Sequence, residues 1–187
     1  MTSQGAQREV TNHDRVGAAH VSSVVGLHNV PDAIRSLTTL ADPDYVDLFT
    51  VTTPTATDHS AEEWARAVLE RAPLSRRNAR VLWRLMGLRL GPRHSPDHVQ
   101  GWKIAARGDN WLRVETASWY VTAQAVCSVE EGQVSLSLSL RYDSPVATIV
   151  WALVSGPHQR GVPVMLRQAV RLVTNTAVPQ RGPTAPR

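Results

Sequence analysis

Apolar and polar residues alternate most clearly along residues 134–140, whose sequence is VSLSLSL. A period of two places the leucines on one face and the serines on the other, which predicts a strand with one buried and one wet face. Residues 45–52 are rich in aromatic and β-branched side chains and are followed by Pro54, so they predict an earlier strand. The pattern indicates a sheet with an apolar inner face.

Two hairpins are predicted where short turn segments containing glycine separate pairs of strand-like segments. The paired segments are residues 102–107 with 111–116, and residues 119–129 with 133–141. Residues 146–154, which follow Pro145, are apolar on both faces and are predicted as the last strand. The predicted sheet is antiparallel and has about six strands.

Three helices are predicted. Ser60-Ala61-Glu62-Glu63 is a capping box, because the serine hydroxyl can accept from the Glu63 N–H while the glutamate side chain reaches back, so a helix begins there. A second helix is expected over residues 75–86, and a long C-terminal helix after Gly156-Pro157, with Pro163 as a kink or as its first residue. The predicted apolar faces are Val81, Leu82 and Leu85 in the second helix, and Val162, Met165, Leu166, Ala169 and Val173 in the last.

The order of elements is strand, two short helices, about five strands and a long helix, which is typical of an α+β domain with segregated layers. We expect one domain over residues 29–176, since 187 residues suit one domain better than two. Residues 1–28 are polar and aperiodic and residues 177–187 are rich in Pro and Arg, so both are expected to be flexible tails.

The composition excludes several protein classes. No run approaches the roughly 18 apolar residues of a membrane span, and the first residues lack a secretory signal, so we expect a cytoplasmic protein. Cys127 is the single cysteine, which excludes an intramolecular disulfide and a cysteine-based zinc site. Pro96 prevents the helix that would align His94 with His98 as metal ligands. We expect no metal and no cofactor.

The net charge is +4 and the sequence pI is about 10. The basic residues are scattered, and the densest group consists of Arg76, Arg77, Arg80 and Arg84. Residues 76, 80 and 84 share one stripe of a helix, which we interpret as a solvated surface, with a phosphate-binding face as the alternative. Nucleic-acid binding is not expected, because it needs basic side chains gathered on one face.

The inward faces of the predicted strands, with the last helix, define a candidate ligand cavity. Its predicted lining is Trp102, Ile104, Val114, Trp119, Val121, Ala123, Leu136, Leu138, Trp151 and Met165. The strand residues among them include no carboxylate, histidine or amine, so the sheet favours binding over acid–base chemistry. A filled core is the alternative interpretation of the same face.

Two polar residues are candidates for proton transfer at this cavity. His158 lies near the start of the predicted last helix, where it could act as an acid or hold an acidic group of a ligand. Asp47 alternates with Tyr45 and Phe49, so the carboxylate faces inward if these aromatics do. The alternatives are a local hydrogen bond for His158 and a solvated or arginine-paired carboxylate for Asp47.

Several short motifs resemble the DUF2867 family, within the superfamily of helix-grip proteins that includes START lipid-binding domains and polyketide cyclases (SRPBCC). The similar residues are Val30-Pro31, the segment 44–49, Trp151, Pro157, Arg160 and Met165-Leu166, and the resemblance spans about residues 28 to 173. It implies a curved antiparallel sheet wrapped around a long C-terminal helix and a hydrophobic ligand. His158 and Gln159 stand where the family typically has phenylalanine and histidine, and the family supplies no catalytic residues.

The leading hypothesis is therefore binding of a hydrophobic small molecule, such as a lipid or polyketide-like metabolite, between the sheet and the C-terminal helix. The first alternative is a cyclase or dehydratase acting in the same cavity, with His158 and Asp47 moving protons. The second is an interaction module with a filled core that works through its arginine-rich helix surface. The sequence does not specify an oligomeric state.

Overall fold

The computed structural model describes residues 19–75, 79–93 and 95–176. The strands are β1 (Val21–Val25), β2 (Tyr45–Thr52), β3 (His98–Val99), β4 (Trp102–Arg107), β5 (Trp111–Ala117), β6 (Val121–Glu130) and β7 (Gln133–Tyr142). The α-helices are α1 (Asp32–Arg35), α2 (Ala61–Arg66), α3 (Arg80–Leu85) and α4 (Val146–Thr176). Short 3-10 helices occupy Leu27–Asn29 and Ala56–Asp58, and α2 continues into a π-helical turn at Ala67–Arg71.

The seven strands form one antiparallel sheet in the order β1-β2-β7-β6-β5-β4-β3. Strand β2 pairs with β7 so that Asp47 lies opposite Leu138 and Phe49 lies opposite Leu136. Residues that face each other across two strands point to the same side of a sheet. Asp47 and Phe49 therefore share the inner face with the leucines of β7, and the inward orientation expected for these leucines is confirmed.

Two helices cover different parts of this inner face. Helix α4 contacts β1, β2 and β7, while α2 contacts β5 and β6. Val162, Leu166, Ala169 and Val173 of α4 are buried in the same apolar core as Phe49, as the sequence predicts. The architecture is α+β with a long C-terminal helix, which confirms the predicted class.

Helix α2 begins at the predicted capping box. The Ser60 hydroxyl accepts from the Glu63 N–H at 3.2 Å, and the Glu63 carboxylate accepts from the Ser60 N–H at 2.8 Å. That backbone hydrogen bond and the one from the serine hydroxyl lower the pKa of Glu63. Trp64 on the buried side of the helix is fully buried and donates its indole N–H to the Ala56 carbonyl at 2.9 Å.

A smaller apolar cluster covers part of the outer face of the sheet. Val46 and Leu48 of β2 pack with Val30 and Ile34 from the segment around α1. The end of that segment is fixed by Gln124 of β6, whose side chain bonds to Thr38 and Thr39. Both faces of β2 are thus buried, which holds this strand rigidly beside β7.

Three predicted boundaries differ from the structure. Residues 146–154 form the first turns of α4 and not a strand, because a continuous apolar run suits a buried helix as well as a buried strand. Residues 21–25, inside the segment expected to be a flexible tail, pair with β2 as an exposed edge strand. The two-residue strand β3 was also not predicted, so the sheet has seven strands and not about six.

Helix α4 runs through two prolines without ending. Its 31 residues include Pro157 and Pro163, neither of which has an N–H to donate. The carbonyls of Leu153 and Gln159, four residues earlier, therefore lack the usual helical hydrogen bond. The helix begins at Val146. The predicted start at Gly156 is therefore wrong, and so is the alternative that Pro163 is the first helical residue.

Among the residues that the structure describes, no helix is both long and apolar enough to cross a membrane. This agrees with the expected absence of a membrane span.

Replacing Ser60 by alanine should lower the free energy of unfolding by about 1 kcal/mol, because the N-cap of α2 loses its side-chain acceptor. Urea denaturation followed by circular dichroism measures this change. The difference from wild type should shrink as the pH falls through the lowered pKa of Glu63, since the bond that the Ser60 hydroxyl donates to the Glu63 carboxylate at 2.9 Å, which the alanine variant lacks, weakens when the acid is protonated. The exposed Ser23→Ala in β1 is the control and should change little; equal stability of the two variants would contradict the assigned cap.

Candidate functional site

A cavity of about 310 Å³ lies between the sheet and helices α3 and α4. Its walls are almost entirely apolar and aromatic, which is typical of small-molecule sites. The strands contribute Trp102, Val121, Ala123, Leu138, Leu140 and Tyr142, and α4 contributes Ala147, Val150, Trp151, Val154, Pro157, His158, Gly161, Val162 and Met165. A second cavity of about 80 Å³ adjoins it, and His158 borders both.

Six of the ten residues predicted to line the cavity do so, namely Trp102, Val121, Ala123, Leu138, Trp151 and Met165. Leu136 borders the smaller cavity. Ile104 and Val114 face each other across β4 and β5 and are buried in the filled part of the core. They do not reach the cavity, because α2 packs against β5 and β6 and fills that half of the inner face.

Trp119 does not line the cavity and is 70% exposed. It lies in the bend before β6, which begins at Val121, so the alternation extrapolated back to residue 119 does not hold. Its neighbour Tyr120 borders the cavity instead and donates its hydroxyl to the Met86 carbonyl at 2.7 Å.

One wall was missed by sequence reasoning. Residues at and around α3 close the side of the cavity opposite α4: Leu74, Ser75, Ala79, Leu82, Trp83, Met86 and Leu88. The predicted buried stripe of this helix is wrong, because Val81 and Leu85 are exposed and Trp83 faces the cavity. The signal was available in Trp83, a large aromatic residue three positions from Met86 on the same helical face.

The polar end of the site is built around Asp47, whose side chain is almost completely buried. One carboxylate oxygen, Oδ2, accepts from the Tyr45 hydroxyl at 2.7 Å and is 2.8 Å from Nε2 of His158. The other, Oδ1, accepts from the backbone N–H of Leu138 at 3.2 Å. The structure therefore brings together the two residues that the sequence singled out for proton transfer, and adds Tyr45 to them.

One ring nitrogen of His158, Nε2, is hydrogen-bonded to Asp47. A carboxylate group accepts hydrogen bonds, so the contact assigns the donor role to Nε2 of His158, and in that tautomer Nδ1 is an acceptor. Nδ1 makes no hydrogen bond to any residue in the described ranges. Because the histidine borders both cavities, this nitrogen is suited to accept a proton or a hydrogen bond from an occupant.

Aromatic rings hold the histidine and tyrosine in place. The Trp151 ring centre lies 4.6 Å from that of Tyr45 and 5.3 Å from that of His158, and Phe49 lies 5.9 Å from His158. Burial and the nearby charge of Asp47 raise the pKa of Tyr45 above its usual range. The phenol therefore stays protonated and acts as a donor to Asp47.

Two indole groups in the cavity wall are unpaired. The N–H groups of Trp102 and Trp151 are buried and have no acceptor among the described residues. A buried donor without a partner costs about 1–3 kcal/mol, and water or an oxygen atom of a ligand is the usual remedy.

The other chemical candidates carry no site. Cys127 is buried, and burial raises its pKa to about 12, so it stays a thiol. Arg80 does not lie on a solvated stripe, because it is buried and donates to the carbonyls of Gln100 at 3.0 Å and Gly91 at 2.8 Å. Arg76, Arg77 and His94 lie outside the described residues. Within the described ranges, no group of three His, Cys, Asp or Glu residues is placed to hold a metal ion.

No protein-family model, curated protein or solved structure matches the chain. The resemblance to the DUF2867 family stays a prediction. The function is therefore argued from the cavity and from the residues that border it.

Proposed function

We propose that the protein binds a hydrophobic small molecule, such as a lipid or polyketide-like metabolite, in the cavity between the sheet and helices α3 and α4. The observation that carries this proposal is an apolar space of about 310 Å³ with one hydrogen-bonded polar cluster on its wall. Protein interiors are normally filled to the density of organic crystals, so an apolar space of this size is better explained by an occupant than by packing. The filled-core alternative is disfavoured for the same reason.

The walls indicate the general form of the ligand. Most of its surface should be apolar, because the lining is aliphatic and aromatic. A molecule that buried about 300 Å² of apolar surface would gain roughly 7 kcal/mol from the hydrophobic effect, before the costs of immobilisation. One polar group should face His158, where Nδ1 accepts a hydrogen bond, and oxygen atoms beside Trp102 or Trp151 would satisfy the unpaired indoles. An apolar body with a hydroxyl or carboxylic group meets these requirements.

The arrangement of the layers supports the same proposal. A long C-terminal helix against an antiparallel sheet is the arrangement that the resemblance to helix-grip proteins predicts. That resemblance implies a ligand between the helix and the sheet, and the cavity of this chain lies in the same position.

Filling the cavity should weaken binding of an apolar probe. Gly161 borders the cavity, and a β-carbon there meets Leu74 only at an ordinary contact distance of 3.7 Å, so Gly161→Leu should fold and occupy the space. We expect N-phenyl-1-naphthylamine, followed by fluorescence titration, to bind roughly tenfold or more weakly, which corresponds to about 1.4 kcal/mol. Gly156→Leu, in the same helix but outside the cavity lining, makes the matched control.

Both substitutions remove a helical glycine and so share the same gain in helix propensity. Equal probe affinity in both variants and wild type would place the binding site elsewhere. Native mass spectrometry of the purified wild type should also show a bound nonpolar molecule. A preparation that neither retains such a molecule nor binds the probe would refute the proposed function.

A second candidate function is a cyclase or dehydratase that acts on the bound molecule. The observation that favours it is the chain of hydrogen bonds from Tyr45 through Asp47 to His158, which orients a histidine that borders the cavity. Abstraction of a proton by Nδ1 would make His158 a cation, and the Asp47 carboxylate 2.8 Å from Nε2 would stabilise that charge. Tyr45 would keep the carboxylate oriented throughout.

Replacing His158 by asparagine should separate the two functions. With the molecule that co-purifies as substrate in D2O, mass spectrometry would follow deuterium exchange at its acidic positions, and we expect the exchange to slow by roughly 10²- to 10⁴-fold. Tyr45→Phe, which keeps the ring against Trp151, should slow it less. Undiminished exchange in His158→Asn would eliminate the enzyme candidate while leaving the binding function intact.

A further inference from the structure

Exposed aliphatic side chains lie on the two helices that border the cavity. Leu85 of α3 is 82% exposed, and Leu153 and Ile149 of α4 are 75% and 66% exposed. Single exposed leucines are common on protein surfaces, but a cluster beside a cavity is not. We propose that this face, the α3–α4 face, docks onto the surface of an anionic lipid bilayer.

Both helices border the cavity, and these side chains lie on their solvent-exposed sides. Leu82 borders the cavity and is itself partly exposed, and Val81 and Leu85 lie next to it on α3. On α4, Ile149 and Leu153 directly precede Val150 and Val154, which line the cavity. Neighbouring residues of a helix point about 100° apart, so α4 has apolar residues on its solvent side as well as on its cavity side.

Contacts at both ends show that α3 and α4 run in opposite directions across this opening. Before α3, the Leu74 N–H is bonded to the Gln168 side chain, in the C-terminal half of α4. After α3, Met86 is bonded to Tyr120, whose own carbonyl accepts from the Asp143 N–H just before α4 begins. The helices therefore form the two long sides of the opening, and both carry exposed apolar side chains.

The charge of this face is of one sign. Helix α4 contains no Asp or Glu in its 31 residues, and the stripe of exposed Ile149 and Leu153 continues at helical spacing to exposed Arg160 and Arg171, with half-buried Arg167 between them. On α3, Arg84 is exposed, and residues 79–93 also contain no acidic residue. Within the described ranges, none of these arginines forms a salt bridge, in contrast to Arg66 and Arg107.

An anionic bilayer complements both properties at once. Its lipid phosphates attract the arginines, each worth about 1 kcal/mol near such a surface, and its interfacial region accepts the aliphatic side chains. A second copy of this chain would bring arginines against arginines in a two-fold dimer. A nucleic acid would match the charge but offers no apolar layer for Leu85 and Leu153. The bilayer is therefore the occupant that the surface fits best.

Docking of this kind would be peripheral and reversible. It would turn the cavity mouth toward the acyl chains, so that an apolar molecule could exchange without crossing water. That exchange rests on the proposed function, whereas the docking surface itself does not.

The test is flotation of the full chain with vesicles of phosphatidylcholine alone or of phosphatidylcholine with phosphatidylglycerol. We expect association with the anionic vesicles, little with the neutral ones, and weakening as salt is added. Leu85→Ser and Leu153→Ser together should weaken the association at least tenfold, because the aliphatic anchors are lost. Val25→Ser, at an exposed valine of β1, is the matched control and should bind as wild type does.

Arg160→Gln with Arg171→Gln should weaken the association by a similar factor and flatten its salt dependence, with the exposed Lys103→Gln in β4 as control. All variants should keep the wild-type melting temperature and bind N-phenyl-1-naphthylamine unchanged, so a failure here is distinct from a failure of the proposed function. Equal binding to neutral and anionic vesicles would overturn the proposal. So would a dimer that Leu85→Ser with Leu153→Ser dissociates, or binding to duplex DNA in the absence of binding to vesicles.

Discussion

The buried carboxylate of Asp47 is the constraint on which the arrangement of the site depends. A carboxylate removed from water is tolerated only when donors surround it. Here the donors come from three parts of the chain: Tyr45 on the same strand, the backbone of Leu138 in β7, and His158 in α4. Helix α4 must therefore cross the sheet where His158 reaches β2. The same residue borders the cavity, so the contact with Asp47 also fixes the position of one part of its wall.

The space between the inner face of the sheet and the helices is packed in some regions and open in others. Under α2 the core is closed, with Trp64 and Val68 fully buried. Under the C-terminal half of α4, Leu166 and Ala169 are likewise completely buried. The region between α3 and the N-terminal half of α4 stays open, because the facing residues there stand on two separated helices. The polar cluster lies where the filled and open regions meet, which is where a binding protein would place the group that orients its ligand.

Sequence reasoning predicted the sheet better than the helices. A period of two places Asp47 on the same face as Tyr45 and Phe49 and separates the two faces of β7, and glycine-containing turns predict the hairpin of β6 with β7. Which face of β2 points inward was left open by the pattern. Contact between Asp47 and His158 joins residues 111 positions apart and depends on where α4 crosses, which no local pattern encodes. The strand predicted at residues 146–154 failed because burial on both faces removes the periodicity that separates helix from strand. Trp119 failed because a bend interrupts the alternation.

Pro157 and Pro163 divide the hydrogen-bond ladder of α4 into shorter stretches. The last stretch is anchored by buried Leu166, Ala169 and Val173, whereas the first stretch rests over empty space at Val150 and Val154. Thermal fluctuations should therefore concentrate in the first stretch, since fraying it breaks few apolar contacts and leaves the anchored part intact. The cavity entrance would then open and close independently of the anchored part of the helix. The size of molecule that enters is therefore governed by the motion of the helix as well as by the resting shape of the cavity.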